Sequence, residues 1–253
     1  DRVKDIYKQK LTKITFDRGG VWTTIPAPEK DSAGRKIPCE DETCTLNLNV
    51  AALTDIGHLY SSKNALGLLL STGNVGYHLT TKTADVNTYV SRDAGKTWTE
   101  MSKGSSIYES GDHGSFIVFG SDQISSNQIY FSVDEGQTVD SFKLPVKFEI
   151  YDVIGEPSNT ASHFIAVAIT SEEQGVLVSI DFSNYFPRMC AGSQTLDSPD
   201  SDYEVWSPHA AHSLSNCLLG RKINVVRKKV GTQCFNGENF EMKSSNQNCE
   251  CTQ

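Results

Sequence analysis

The stretch Ser91-Arg92-Asp93-Ala94-Gly95-Lys96-Thr97-Trp98 packs a complete turn recipe between two apolar, β-prone runs. Its aspartate can accept hydrogen bonds from nearby backbone N–H groups, and Gly95 supplies the positive φ that a tight turn demands. Trp98 opens the returning strand with a large ring to bury. The recipe returns at Thr15-Phe16-Asp17-Arg18-Gly19-Gly20-Val21-Trp22 and, without the tryptophan, at Ser132-Val133-Asp134-Glu135-Gly136-Gln137-Thr138-Val139. Asp17, Asp93 and Asp134 are separated by 76 and then 41 residues, which suits a unit of roughly 40 residues whose first interval holds an insertion. One such hairpin per four-stranded unit means β-propeller blades.

The eight-residue signature resembles the Asp-box of sialidases, some other glycosidases and sortilin-type receptors. Three copies in register speak for fold rather than chemistry. Thr15, Asp17, Gly19 and Trp22, then Ser91, Asp93, Gly95 and Trp98, then Ser132, Asp134 and Gly136 are accordingly structural positions, their carboxylates consumed by the turns.

Composition narrows the class. The chain has 253 residues, 38% of them apolar, enough for a real core. With 23 basic against 31 acidic residues the formal charge is −8, so no basic face for nucleic acid is implied. No run of 18 or more apolar residues occurs, and Asp1 is followed by no charged n-region or apolar h-region. This stretch is therefore expected neither to cross a membrane nor to carry its own address.

Seven cysteines are unevenly placed. Cys39 and Cys44 share a polar loop; Cys190, Cys217, Cys234, Cys249 and Cys251 crowd a segment poor in long apolar runs, where a small core needs staples. Cys249-Glu250-Cys251 is too tight for a zinc knuckle and no second knuckle is present. Disulfides in an oxidising compartment follow, and the odd count leaves a thiol whose partner lies outside these residues.

Along the chain, residues 1–10 read as a charged lead-in. Residues 11–16 and 22–25 form the last hairpin of a blade, and residues 26–42 a loop closed by Cys39–Cys44. Strands follow at 44–50, 66–70, 86–91 and 98–101, with 51–64 a short helix or an excursion. The next unit has strands at 107–109, 115–119, 128–132 and 141–144, with Gly111-Asp112-His113-Gly114 as its first turn. A decayed unit has strands at 148–154, 164–169 and 176–181. From residue 186 prolines, serines, acids and cysteines replace the strand rhythm, with a strand expected at 222–227 and a turn at Phe235-Asn236-Gly237-Glu238 before another strand. The expected division is residues 1–185, the C-terminal blades of a propeller, and residues 186–253, the start of a cysteine-rich module. Three blades and a fraction cannot close a ring, so other blades must complete it.

Longer runs carry a closer resemblance. Ile14-Thr15-Phe16-Asp17-Arg18-Gly19-Gly20, Gly67-Leu68-Leu69-Leu70-Ser71-Thr72-Gly73-Asn74-Val75-Gly76 and Phe131-Ser132-Val133-Asp134-Glu135-Gly136 look like sortilin-type receptors of the vacuolar protein sorting-ten family. Asp202-Tyr203-Glu204-Val205-Trp206-Ser207-Pro208, Cys217-Leu218-Leu219-Gly220-Arg221-Lys222 and Cys234-Phe235-Asn236-Gly237 resemble the cysteine-rich module that follows the propeller there. The resemblance implies an all-β fold: the last blades of a ten-bladed propeller and then the disulfide-rich module. It implies a luminal or extracellular receptor for protein or peptide cargo moving between Golgi, endosome and lysosome or vacuole, held by a transmembrane helix outside this chain. It implies pairing of Cys39 with Cys44, Cys190 with Cys234, and Cys217 with Cys249, with Cys251 joined to a residue outside the chain. With no glycine-rich phosphate loop, metal-spaced His/Glu set or nucleophile elbow in the sequence, no cofactor and no catalysis are expected. The family often has Cys-Trp after its last Asp-box, where this chain has Thr138-Val139.

The competing reading is a carbohydrate-active Asp-box propeller of the sialidase kind. That chemistry needs an arginine cluster to clamp a carboxylate and a tyrosine paired with a glutamate. Arg18 and Arg92 sit on Asp-box turns, and Arg188, Arg221 and Arg227 in the second module, a poor basis for a cluster. Asp112-His113 reads as a turn aspartate and a structural histidine. Lys222, Arg227, Lys228 and Lys229 are the one basic concentration: a solvated face, or a docking patch for an acidic ligand or the propeller's own rim. His209 and His212 lie where acidification could be sensed.

Overall fold

The computed structural model describes residues 10–39, 41, 43–50, 59–80, 82–208, 217 and 219–250. Nearly all of the charged lead-in, most of segment 51–64, His209, His212 and Cys251 lie outside these.

The chain is all-β. A first sheet contains β1 (Lys13–Ile14), β2 (Thr23–Pro26), β3 (Thr45–Leu48), β4 (Tyr60–Ser61), β5 (Leu69–Gly76), β6 (Asn87–Ser91) and β7 (Thr99–Lys103). Its order is β1-β2-β3-β5-β6-β7, with β4 also on β5. The strand expected at residues 66–70 instead begins at Leu69, because Gly67 has φ +89° and Leu68 N–H closes a turn onto Ala65 C=O. It then runs through Gly73, whose missing side chain lets the Asn47 backbone oxygen of β3 come close.

The second sheet is β8 (Ser106–Gly111), β9 (Phe116–Ser121), β10 (Ser126–Ser132), β11 (Asp140–Gly155), β12 (His163–Thr170) and β13 (Gly175–Asp181), adjacent in reverse chain order. Sequence reading splits β11 at Pro145, yet it is one strand of 16 residues. The register explains this: Gln128 pairs with Lys143 and Ser126 with Phe148, so Pro145 falls in a bulge where its missing N–H is not needed. β11 thereby completes one blade and begins the next unit.

A small third sheet joins β14 (Tyr203–Trp206), β15 (Arg221–Lys228) and β16 (Ser244–Asn248). Disulfides link Cys39 to Cys44, Cys190 to Cys234 and Cys217 to Cys249.

Packing follows strand alternation. Ile117 and Phe119 on one face of β9 pack with Leu70, Val90 and Met101 of the first sheet. Phe116 and Val118 on the other face pack with Ile150, Val153, Phe164 and Ala166 of β11 and β12. Phe186 and Phe235 join that second cluster. The cysteine-rich segment thus adds two phenylalanines to a blade's core, which suits a piece with few apolar residues.

Candidate functional site

The three Asp-box turns are built alike. In the second, Gly95 N–H donates to Ser91 Oγ (2.9 Å), which bonds Asp93 Oδ1 (2.9 Å); Asp93 also accepts Thr97 N–H at 2.8 Å and Thr97 Oγ1 at 2.6 Å. Trp98 Nε1 donates to Gly95 C=O at 2.9 Å. In the first, Gly19 N–H donates to Thr15 Oγ1 (2.9 Å), Thr15 Oγ1 to Asp17 (2.7 Å) and Val21 N–H to Asp17 (2.9 Å). The third repeats this with Ser132, Asp134, Gly136 and Thr138. The Val21 N–H and Thr15 hydroxyl hold the Asp17 carboxyl below its ordinary range. Each glycine is left-handed, and so is the residue before it: Arg18, Ala94 and Glu135 have φ near +60°. That second left-handed residue carries no compositional signal.

The more informative constellation is the turn Asp112–Gly114. Asp112 and His113 both adopt positive φ, 45° and 59°, and together they tie three parts of the chain. Asp112 N–H donates to Ala161 C=O (3.0 Å) and His113 N–H to Asn159 C=O (2.8 Å), fixing the β11–β12 loop. At Gly114 a Cβ would come within 2.9 Å of Ala65 Cβ, so the turn between β4 and β5 closes on it. The carboxylate, buried to 1% exposure, accepts Asn236 N–H at 3.1 Å and Gly237 N–H at 2.9 Å from the cysteine-rich segment. Asn236 Nδ2 returns to Asp112 C=O at 3.0 Å.

Burial pushes the Asp112 carboxyl up, against the Gly237 and Asn236 N–H groups and nearby Lys228, which favour the anion. Burial holds the His113 imidazole below its ordinary value; its Nε2 lies 3.2 Å from Gly237 C=O and its ring edge-on to Phe240. Burial likewise lowers Lys228, whose ammonium donates to Cys234 C=O at 3.2 Å over the Phe186 ring.

A second clasp lies beside it. Arg227 stacks 4.4 Å over Trp206, pairs through Nε with Glu204 at 2.9 Å, and donates from Nη1 to Arg92 C=O on the second Asp-box at 2.9 Å. Trp206 in turn fills the space a Gly67 side chain would need. Lys229 Nζ caps Ser201 C=O at 2.6 Å. The basic concentration is therefore largely internal rather than a solvated face: Arg227 reaches the second Asp-box, Lys228 is buried and Lys229 is bonded. Alternation along β15 sends Arg227 and Lys228 to opposite faces.

Tyr60 and Glu109 form the tyrosine–glutamate pair that a sialidase would require, the phenol donating to the carboxylate. Burial pushes the Tyr60 phenol up to about 12, the reverse of what a nucleophile needs, and raises Glu109. Among the described residues their other hydrogen-bond partners are Ser110 and Asn159, and no arginine joins them. Cys190, Asp202 and Cys234 cluster, but the sulfurs are bonded to each other and Asp202 is taken by Arg188 at 2.7 Å.

Comparison with known proteins matches this construction along its length. A family model described as sortilin, neurotensin receptor 3, covers residues 2–153, and its C-terminal counterpart covers residues 155–253. The chain belongs to the sortilin/Vps10 family. The two family models meet inside β11, the strand shared by both units. Curated relatives named vacuolar protein sorting/targeting protein 10 include those of Debaryomyces hansenii (35% identical, 100% of this chain, 16% of the relative), Uncinocarpus reesii (35%, 98%, 18%) and Coccidioides posadasii (34%, 99%, 18%). This sortilin/Vps10 chain thus spans less than a fifth of those relatives' length. The relatives are named as sorting proteins, not as enzymes.

Proposed function

We propose that these residues form part of the luminal or extracellular, ligand-binding region of a single-pass sorting receptor that moves protein or peptide cargo between Golgi, endosome and vacuole or lysosome. The observation that carries this is the double clasp, Asp112 with Asn236 and Gly237, and Arg227 with Arg92 and Trp206, which fixes a disulfide-closed module against Asp-box blades in a chain otherwise related throughout to vacuolar sorting proteins. Its polar groups are spent on holding elements together, which suits a binding scaffold rather than a reaction centre.

The remaining blades of the same protein are the first partner. Ile154, Ile165 and Leu177 on the outer face of β11–β13 are 48%, 45% and 72% exposed, and a further blade would bury them as the inner face is buried. Among the described residues no helix is long and apolar enough to cross a membrane, so the anchor is proposed to lie elsewhere in the receptor.

The test is deletion of the intact protein in its own cells, followed by the distribution of vacuolar hydrolases. Their appearance in the medium, reversed by re-expression, is expected. Hydrolases that stay in the vacuole, or release of sugar from a panel of sialosides by the purified protein, would overturn the reading.

A further inference from the structure

We infer that the uncovered underside of the first Asp-box, Gly19 with Trp22, seats one further hairpin of the same construction, which presents an aliphatic side chain immediately ahead of its own Ser or Thr. The inference rests on the propeller reading and adds the contact chemistry that joins neighbouring hairpins.

Two contacts within the chain carry it. A Cβ on Gly95 would lie 2.8 Å from Ile14 Cδ1, and one on Gly136 would lie 2.8 Å from Val90 Cγ1. Ile14 is the residue directly before Thr15, and Val90 the residue directly before Ser91. The residue ahead of one box thus closes beneath the glycine of the next. Strand alternation explains the position: the hydroxyl side chain turns into its own loop, so its predecessor faces the neighbouring hairpin. The glycine explains the close approach, because with no Cβ of its own it leaves room for the methyl groups of an aliphatic side chain.

Where the glycine is lost the relation changes in kind. Phe131, directly ahead of Ser132, faces the decayed unit and meets the Phe182 ring at 5.3 Å and Tyr185 at 6.0 Å. At Gly19 the glycine is kept, with φ +97°, and the hydroxyl relay is made. Yet among the described residues only Trp22 of the same turn comes within 4 Å of the point where its Cβ would be. Trp22 is consequently 55% exposed, where Trp98 is 5% exposed, and Val21 is 64% exposed.

The occupant is a hairpin of the intact protein rather than a second copy. Ile14, Val90 and Phe131, the residues this chain offers at the donor position, are already engaged with Gly95, Gly136 and Phe182. The seat therefore calls for Ile, Val or Leu followed by Ser or Thr, any residue, and Asp.

Photo-cross-linking of the intact protein tests it. With Trp22→p-benzoylphenylalanine, irradiation is expected to give an intramolecular product whose partner peptide contains that four-residue pattern, and replacing its aliphatic residue by Asp should abolish the product. Val21→p-benzoylphenylalanine serves if the first variant is not produced. A cross-link to residues 1–9, to a second molecule, or none at either position overturns the inference. A partner peptide elsewhere in the same protein without the pattern overturns the contact but leaves the receptor reading to its own hydrolase assay.

Discussion

Asp112 Oδ1 accepts the Gly237 N–H at 2.9 Å across 125 residues of chain, and the same carboxylate takes the Asn236 N–H with its other oxygen. Removing it leaves one buried and one half-buried N–H group without acceptors, each worth about 1–3 kcal/mol, and strips a counter-charge from buried Lys228. Asp112→Ala is therefore expected to cost about 3 kcal/mol or more, and Asp112→Asn less, since one oxygen remains to accept. Denaturant midpoints of the intact protein's purified folded region check this. A cost below about 1 kcal/mol would mean that the contact does not hold the module.

The neighbouring histidine sets a pH dependence of defined sign. The folded-state pKa of His113 is depressed, so its contribution to stability is present above its ordinary value of 6.5 and is lost as pH falls through the folded value. Asp112 and Glu109 have raised pKa values and act oppositely: their contribution is fully present below the usual carboxylate range and is lost as pH rises through their raised folded values. The histidine's own contribution is thus expected to decline on mild acidification from neutrality, with the two carboxylates opposing it. His113→Asn removes the titrating ring while tolerating positive φ, and should flatten that decline in melting curves taken between neutral pH and the onset of carboxylate protonation. An unchanged slope would place the sensitivity elsewhere.

Arg227 is expected to resist conservative replacement. Lysine keeps the charge but cannot stack on Trp206 while also reaching Glu204 and Arg92 C=O. Arg227→Lys should cost about 1–2 kcal/mol, nearly as much as Arg227→Met, and the loss should change little with salt, because a stacked, half-buried contact is poorly screened. A loss that vanishes in high salt would mean that charge, not shape, carries the clasp.

What was legible in the sequence follows from range. The Asp-box turns are local, so Asp93, Gly95 and their counterparts could be read from eight residues. Burial of Trp98 against exposure of Trp22 could not, since it depends on a hairpin far away in sequence. Pro145 hid the continuity of β11 because a bulge's register is a property of two strands. Asp112 and Asn236 each sit in a recognisable turn, but nothing in either turn names the other. The basic concentration at Lys222, Arg227, Lys228 and Lys229 looked like a patch along the chain, and alternation on β15 divided it.

Two glycines separate a backbone limit from a side-chain limit. On Gly73 an added Cβ would overlap the Asn47 backbone oxygen of β3, and on Gly120 it would overlap only the Cδ1 end of Ile150. Backbone in a paired strand cannot retreat without breaking its ladder, whereas an isoleucine can change rotamer or be shortened. Gly73→Ala is expected to destabilise by more than about 3 kcal/mol with no single compensating change. Gly120→Ala should cost about 1–3 kcal/mol, much of it recovered in combination with Ile150→Val, which deletes the offending methyl. Thermal unfolding of the two single variants and the double variant reads the difference as a coupling energy. Equal costs at the two glycines, or no recovery by Ile150→Val, would show that β9 is as constrained by its backbone as β5 is.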